Sequence, residues 1–130
     1  MTVVAEKWEA TISLGEANAR LKDIMDLDEL AGTEPFHGAV LQRAVQSTFD
    51  RRRTNLDAGS TALTERFRLD PDRQTLWSAA RKRYERDRAP ELFRDVMNRV
   101  IEFVGPPYLE AAAGQPFVGK WDPARRKWVK

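Results

Sequence analysis

Residues 92–104 carry the pattern that most restricts what this chain can fold into. Leu92, Phe93, Val96, Met97, Val100, Ile101 and Val104 recur at three- and four-residue intervals. An α-helix gathers them into one broad apolar stripe, whereas a strand divides them between two faces. A stripe this wide needs other helices to cover it. The spacing predicts a helix over 90–104. Gly105-Pro106-Pro107 follows at once, and two consecutive prolines predict a break there, with a short further helix over 108–113.

The rest of the chain reads the same way. A first helix is expected over 3–13, closed before Gly15, and a second over 15–31, ending near Gly32. A third begins near Gly38, with Val40, Leu41, Ala44, Val45 and Phe49 at helical spacing, and ends in Arg51-Arg52-Arg53, where cations suit a helix C-terminus. Residues 54–70 are loop, with one helical turn around Thr64–Phe67. Asp70-Pro71 marks a helix start, Asp as N-cap and Pro in the first turn. The helix that follows carries Leu76, Trp77, Ala80 and Tyr84 on one face. From Pro116 the chain is extended, and Trp121 to Trp128 is expected to form a turn or small hairpin that lays two indoles on the bundle. The expected fold class is all-α, a bundle of about five helices with an extended C-terminal tail, in a single domain over 1–130. Its 130 residues are enough for a modest core.

Composition narrows the function classes. With 42% hydrophobic and 32% charged residues the chain reads as globular rather than disordered. It has no cysteine, so disulfides and Cys-based zinc sites are excluded, and one histidine, His37, cannot build a His/Cys metal site. No apolar run approaches a membrane span and no leader pattern is seen, so the chain is read as cytoplasmic. The net charge of +2 conceals an asymmetry. Residues 1–50 hold four basic and nine acidic residues, and residues 51–130 hold eighteen and eleven. A basic second half attracts nucleic acid or an acidic partner, unless the two halves neutralise each other within one fold.

Two segments combine charge and apolar spacing in a way that suggests chemistry. Val4-Ala5-Glu6-Lys7 puts a lysine on the first helix, and Asn18 to Leu27 puts Lys22, Asp23 and Asp26 on the second. Asp23 and Asp26 are three residues apart and share a helix face. With Lys7 folded back onto them they suit a phosphate-handling site, the lysine as a point charge and one carboxylate orienting or deprotonating a hydroxyl. A structural ion-pair cluster is the competing reading, with Asp23 paired to Arg20 or Lys22 and Asp26 to Lys7. On either reading Lys7 and at least one of the two carboxylates are expected within ion-pair reach. Arg51, Arg52 and Arg53, and Arg125, Arg126 and Lys127, are candidate nucleic-acid contacts, with Trp121 and Trp128 as stacking surfaces. The competing reading for them is a helix end and a tail.

These residues resemble the second half of the AbiEii-type nucleotidyltransferases, toxins of type IV toxin–antitoxin and abortive-infection systems. That family has a V-A-E-K segment followed by N-S-R-M-K-D-x-x-D-L. Thr48 to Thr54 is similar to its T-F-x-R-R-G-T, Ala62 to Phe67 to its A-L-T-P-E-F, and Pro116 to Pro123 to its tail. The family has a glycine where Arg53 stands, and more often glycines where Ala124-Arg125-Arg126 stand.

The resemblance implies that Lys7, Asp23 and Asp26 occupy catalytic positions, with one aspartate the late catalytic carboxylate, and that Arg20 and Lys22 border the nucleotide. It also implies magnesium and a nucleoside triphosphate for a complete family member, and RNA among the targets. An upstream Gly-Gly segment with an Asp-x-Asp pair binds nucleotide and metal in such enzymes. The motif opens three residues after Met1, and the chain is expected to lack that half, to need no cofactor by itself and not to be catalytic alone. Two alternatives stay open: a half-enzyme completed by a separate N-terminal chain, and a helical nucleic-acid- or protein-binding module. An antitoxin is an expected partner. So is a second copy of the chain, docked through Val3, Val4, Trp8, Ile12, Leu21 and Met25, which a missing half would leave uncovered.

Overall fold

A computed structural model describes residues 2–14 and 21–130. Among them run six α-helices: α1 (Thr2–Leu14), α2 (Leu21–Thr33), α3 (Gly38–Arg51), α4 (Glu65–Arg68), α5 (Pro71–Arg83) and α6 (Phe93–Ala112). A 3-10 turn, Thr61–Leu63, precedes α4. Three short strands complete the chain: β1 (Phe36–His37), β2 (Lys120–Asp122) and β3 (Lys127–Val129). Helix α6 lies at the centre and packs against α2, α3, α4 and α5, and α1 rests on α2 and α3. No helix among the described residues is long and apolar enough to cross a membrane.

Local chemistry sets the boundaries. Asp70 caps α5 by accepting a hydrogen bond from the Asp72 backbone N–H at 2.9 Å, with Pro71 opening the helix. Thr64 caps the single turn α4 by accepting from the Phe67 N–H at 3.2 Å. The loop before it is anchored by Tyr108, whose hydroxyl accepts from the Asp57 N–H at 2.8 Å and donates to the Asp57 carbonyl at 2.9 Å.

Gly105-Pro106-Pro107 does not end the long helix, which continues to Ala112. Proline is excluded from helix interiors because it removes an N–H and crowds the residue before it. Here part of each cost is met. Pro107 leaves the Phe103 carbonyl without its helical donor, and the Trp128 indole N–H donates to that carbonyl at 2.8 Å. Gly105, with no Cβ, relieves the crowding in front of Pro106. The separate helix expected over 108–113 is the last part of α6.

The fold is therefore mostly helical but not all-α. The turn or small hairpin expected over Trp121 to Trp128 forms as β2–β3, and β2 pairs on its other edge with β1, giving an antiparallel sheet of order β1-β2-β3. Phe36 stands opposite Trp121, and Trp121 opposite Trp128. Trp121 is buried and its indole N–H donates to the Ala31 carbonyl at 2.6 Å. Phe103 of α6 sits against Phe36, Trp121 and Trp128, with centroids 5.1, 4.9 and 6.3 Å away.

One correction bears on self-association. Val4, Trp8, Leu21 and Met25 are 1%, 0%, 3% and 1% exposed within the single chain. Trp8 packs edge-on against Tyr108 at 5.5 Å. The face expected to await a second copy is already covered by α3 and α6, because the central helix extends one full segment further than its prolines suggested. Only Val3 of that set is well exposed.

Candidate functional site

The first turns of α2 lie beside the middle of α1, and Lys7 reaches across to both expected carboxylates. Its Nζ is 2.9 Å from Asp26 Oδ2 and 3.4 Å from Asp23 Oδ1. Lys22, one turn before Asp26 on the same helix, places its ammonium 3.2 Å from the same Oδ2. A further cation arrives from the loop after α5: Arg86 Nη2 is 3.2 Å from Asp26 Oδ1, while Nη1 holds Glu29 at 2.7 Å. Arg20, expected at this site, lies outside the described residues.

Asp26 is thus a single carboxylate facing three cations. Burial alone pushes its pKa up, but the hydrogen bonds and charges of Lys7 and Lys22 outweigh that and hold it below the ordinary carboxylate range. Burial likewise pulls the Lys7 ammonium down, and the two aspartates outweigh it and hold Lys7 above its ordinary value. The site is kept ionised on both sides, with its charges satisfied internally.

The arginines at the end of α3 serve α1. Arg52 Nη1 is 2.8 Å from Glu9 Oε1, and the Thr54 hydroxyl donates to Glu9 Oε2 at 2.6 Å. Burial acts to raise the pKa of Glu9, and the Thr54 and Arg52 hydrogen bonds more than offset it, leaving it lowered. Arg51 and Arg52 also sit 3.8 Å from Glu6. Arg52 lines a cavity of about 240 Å³ together with Lys7 and Asp23, so it belongs to the motif site. Arg53 has φ 56°, in the left-handed region that glycine enters without steric cost.

The C-terminal cations fare differently. Arg126 crosses to α2, where Nη1 is 2.9 Å from Asp28 Oδ1 and Nη2 donates to the Asp28 carbonyl at 3.1 Å. Gly32 makes room for that guanidinium, since a Cβ there would collide with it. Arg99 Nε is 3.0 Å from the same Oδ1. Arg125 is 3.7 Å from Asp122 within its own turn, and Lys127 is exposed on β3. Trp121 is buried, and Trp128 lies nearly parallel to the Phe103 ring.

Two Asp-x-Asp patterns do occur, Asp26-Leu27-Asp28 and Asp70-Pro71-Asp72. Neither follows a Gly-Gly segment. Residues two apart on a helix point to different sides, and Asp26 and Asp28 accordingly enter separate ion-pair networks. The Asp70 carboxylate is spent on the cap of α5 and on Arg73, and Asp72 gives that cap only its backbone N–H. Among the described residues no group of three His, Cys, Asp or Glu side chains is placed to hold a metal ion. The carboxylates present do not fit a complete magnesium site, because Asp26 spends both oxygens on cations and Asp23 already meets Lys7.

Sequence reasoning missed Arg86. Nothing in the Arg81 to Arg88 stretch shows which of its basic residues turns inward. Arg52, a candidate nucleic-acid contact in the sequence, pairs with Glu9, a contact the sequence does not reveal.

Residues 2–99 match the family model described as nucleotidyl transferase AbiEii toxin, type IV TA system. No curated protein and no solved structure matches the chain. The matched span holds Lys7, Asp23, Asp26, Arg52 and Arg86; the last part of α6 and the hairpin lie beyond it.

Proposed function

This chain belongs to the AbiEii nucleotidyl transferase toxin family of type IV toxin–antitoxin systems, and from that premise we propose that it supplies the helical Lys–Asp part of a nucleotidyl-transfer site and is not catalytic on its own. The observation that carries the proposal is the Lys7 ammonium 2.9 Å from Asp26 and 3.4 Å from Asp23. Its cofactors when complete are magnesium and a nucleoside triphosphate, and the site is completed by a segment with Gly-Gly and Asp-x-Asp outside these 130 residues. The toxin–antitoxin family further implies an antitoxin.

Lys7 and Lys22 are point charges that a triphosphate attracts away from Asp26. Once they turn to phosphate, Asp26 is released to accept a hydrogen bond from the attacking hydroxyl. With both lysines turned away, burial pushes the Asp26 carboxylate back up, so it orients the hydroxyl and can take its proton. The hydroxyl oxygen then bonds to the α-phosphorus as its proton passes to Asp26 and on to water, the bond from that phosphorus to the bridging oxygen breaks, and pyrophosphate leaves. Arg52 and Thr54 act at one remove by fixing Glu9, and with it the pitch of α1 that aims Lys7.

Incubation with labelled nucleoside triphosphates, magnesium and bulk tRNA tests this. The chain alone transfers no label. Adding a segment with the Gly-Gly and Asp-x-Asp motifs restores transfer, and Lys7→Ala in the mixture removes it. Robust transfer by the chain alone that Lys7→Ala or Asp26→Asn abolishes would overturn the proposal. So would restored transfer that ignores Lys7.

A further inference from the structure

Beside the Lys7–Asp26 cluster, between the first turn of α2 and the last turns of α5, lies a cavity of about 610 Å³. Its apolar wall is Leu21, Leu76 and Ala80, its rim carries Lys22, Arg83 and Tyr84, and Asp23 closes the end nearest Lys7. Asp23 also lines the smaller cavity that holds Lys7 and Arg52, so one carboxylate borders both spaces. Leu76 and Tyr84 are 47% and 37% exposed, which leaves an apolar surface and a ring edge open to a ligand. Two cations stand over that ring, Lys22 Nζ at 5.9 Å and Arg83 Cζ at 5.6 Å from its centroid.

A flat aromatic group with a negatively charged tail matches this arrangement on each count. The ring offers a stacking face, the alkyl wall offers a dry edge, and the cations offer charge. We propose that this cavity takes the base and ribose of a nucleoside triphosphate, with Tyr84 stacked on the base. Lys22 and Arg83 turn from the ring toward the phosphates, which then lie toward Lys7. The assignment rests on the nucleotidyl-transfer reading and names its nucleotide subsite. Recognition by stacking is tolerant of base identity, so all four common nucleotides enter. Leu21, Lys22 and Asp23 belong to the motif and Leu76, Ala80, Arg83 and Tyr84 do not; Tyr84 closes the C-terminal end of α5.

Titration calorimetry of the full chain against ATP, CTP and inorganic tripolyphosphate, with Tyr84→Ala, Tyr84→Phe and Arg83→Ala variants, tests the proposal. The wild type binds ATP more tightly than tripolyphosphate. Tyr84→Ala weakens ATP roughly tenfold and leaves tripolyphosphate unchanged, Tyr84→Phe keeps wild-type affinity, and Arg83→Ala weakens both anions. An unchanged urea midpoint for each variant shows that the fold is intact. Equal affinity for ATP and tripolyphosphate would overturn the subsite, as would a Tyr84→Ala variant that binds ATP normally. So would an oligoribonucleotide that binds through Tyr84 while ATP does not, which assigns the surface to a strand. Restored label transfer without Tyr84-dependent ATP binding removes only this subsite. Tyr84-dependent ATP binding without restored transfer removes only the catalytic reading.

Discussion

Asp26 and Asp28 stand two residues apart on one helix and meet opposite fates. Asp26 faces the cleft between α1 and the loop after α5, with Lys7, Lys22 and Arg86 around it, and is held more acidic than an ordinary carboxylate. Asp28 is 4% exposed and clamped by Arg99 and Arg126, yet burial pushes its pKa up despite both guanidiniums. Burial lowers Arg99 in turn. The counts of cations are similar, and the difference is access to water. Where the carboxylate keeps contact with solvent, charge pairing wins and leaves an ionised group that a phosphate can unseat. Where it does not, desolvation wins, and the pair serves as a clasp that fastens the hairpin to α2.

The largest effect that separates the two is on stability. Asp28→Ala takes the one buried carboxylate from two partly exposed guanidiniums and lowers unfolding stability by about 2–3 kcal/mol. Urea denaturation gives the value, and a loss below about 1 kcal/mol would place Asp28 with the exposed pairs instead. Asp26→Asn, in the partly solvated cluster, costs about 1 kcal/mol by the same measurement.

The pH dependence sharpens the contrast because the signs differ. Asp26 and Glu9 have folded pKa values below their ordinary 3.8 and 4.5. Their stabilisation is full above those ordinary values and is lost as pH falls through the lower folded ones. Asp28 is raised above 3.8, so the fold gains from its protonation as pH falls, a partial offset. Asp26→Asn therefore flattens the acid limb of stability between pH 6 and 2, and Asp28→Asn steepens it. Lys7, raised above 10.5, contributes fully below that value and loses its contribution as pH rises through its folded pKa. The smallest effect is accordingly at the alkaline end, where Lys7→Met removes part of the decline. Urea midpoints across the pH range check all three, and parallel acid limbs for the two aspartate variants would erase the distinction.

Much of the helical frame was readable because it rests on local rules. The stripe of α6 from Phe93 to Val104, the Asp70-Pro71 start and the third helix at Gly38 each follow from side-chain spacing or cap chemistry within a few residues. The continuation of α6 through Pro106 and Pro107 was not, since it depends on Trp128 supplying a donor from more than twenty positions away. The sheet was half readable. The Trp121–Trp128 hairpin has a local signature, whereas the pairing of Phe36 with Trp121 is a contact between distant segments. At the site, Lys7, Asp23 and Asp26 could be grouped by helical geometry and by resemblance. Arg86 could not, because a basic run gives no sign of which member turns inward, and Trp8 was misplaced because its cover comes from α6.

The account turns on Asp26 being functional where Asp28 is structural. Label transfer from a nucleoside triphosphate to tRNA by the chain completed with the Gly-Gly and Asp-x-Asp segment, run on Asp26→Asn beside its urea midpoint, tests that most directly. The account predicts transfer lost by at least about a hundredfold with the midpoint nearly that of the wild type. Transfer at the wild-type rate in a folded Asp26→Asn protein would contradict it.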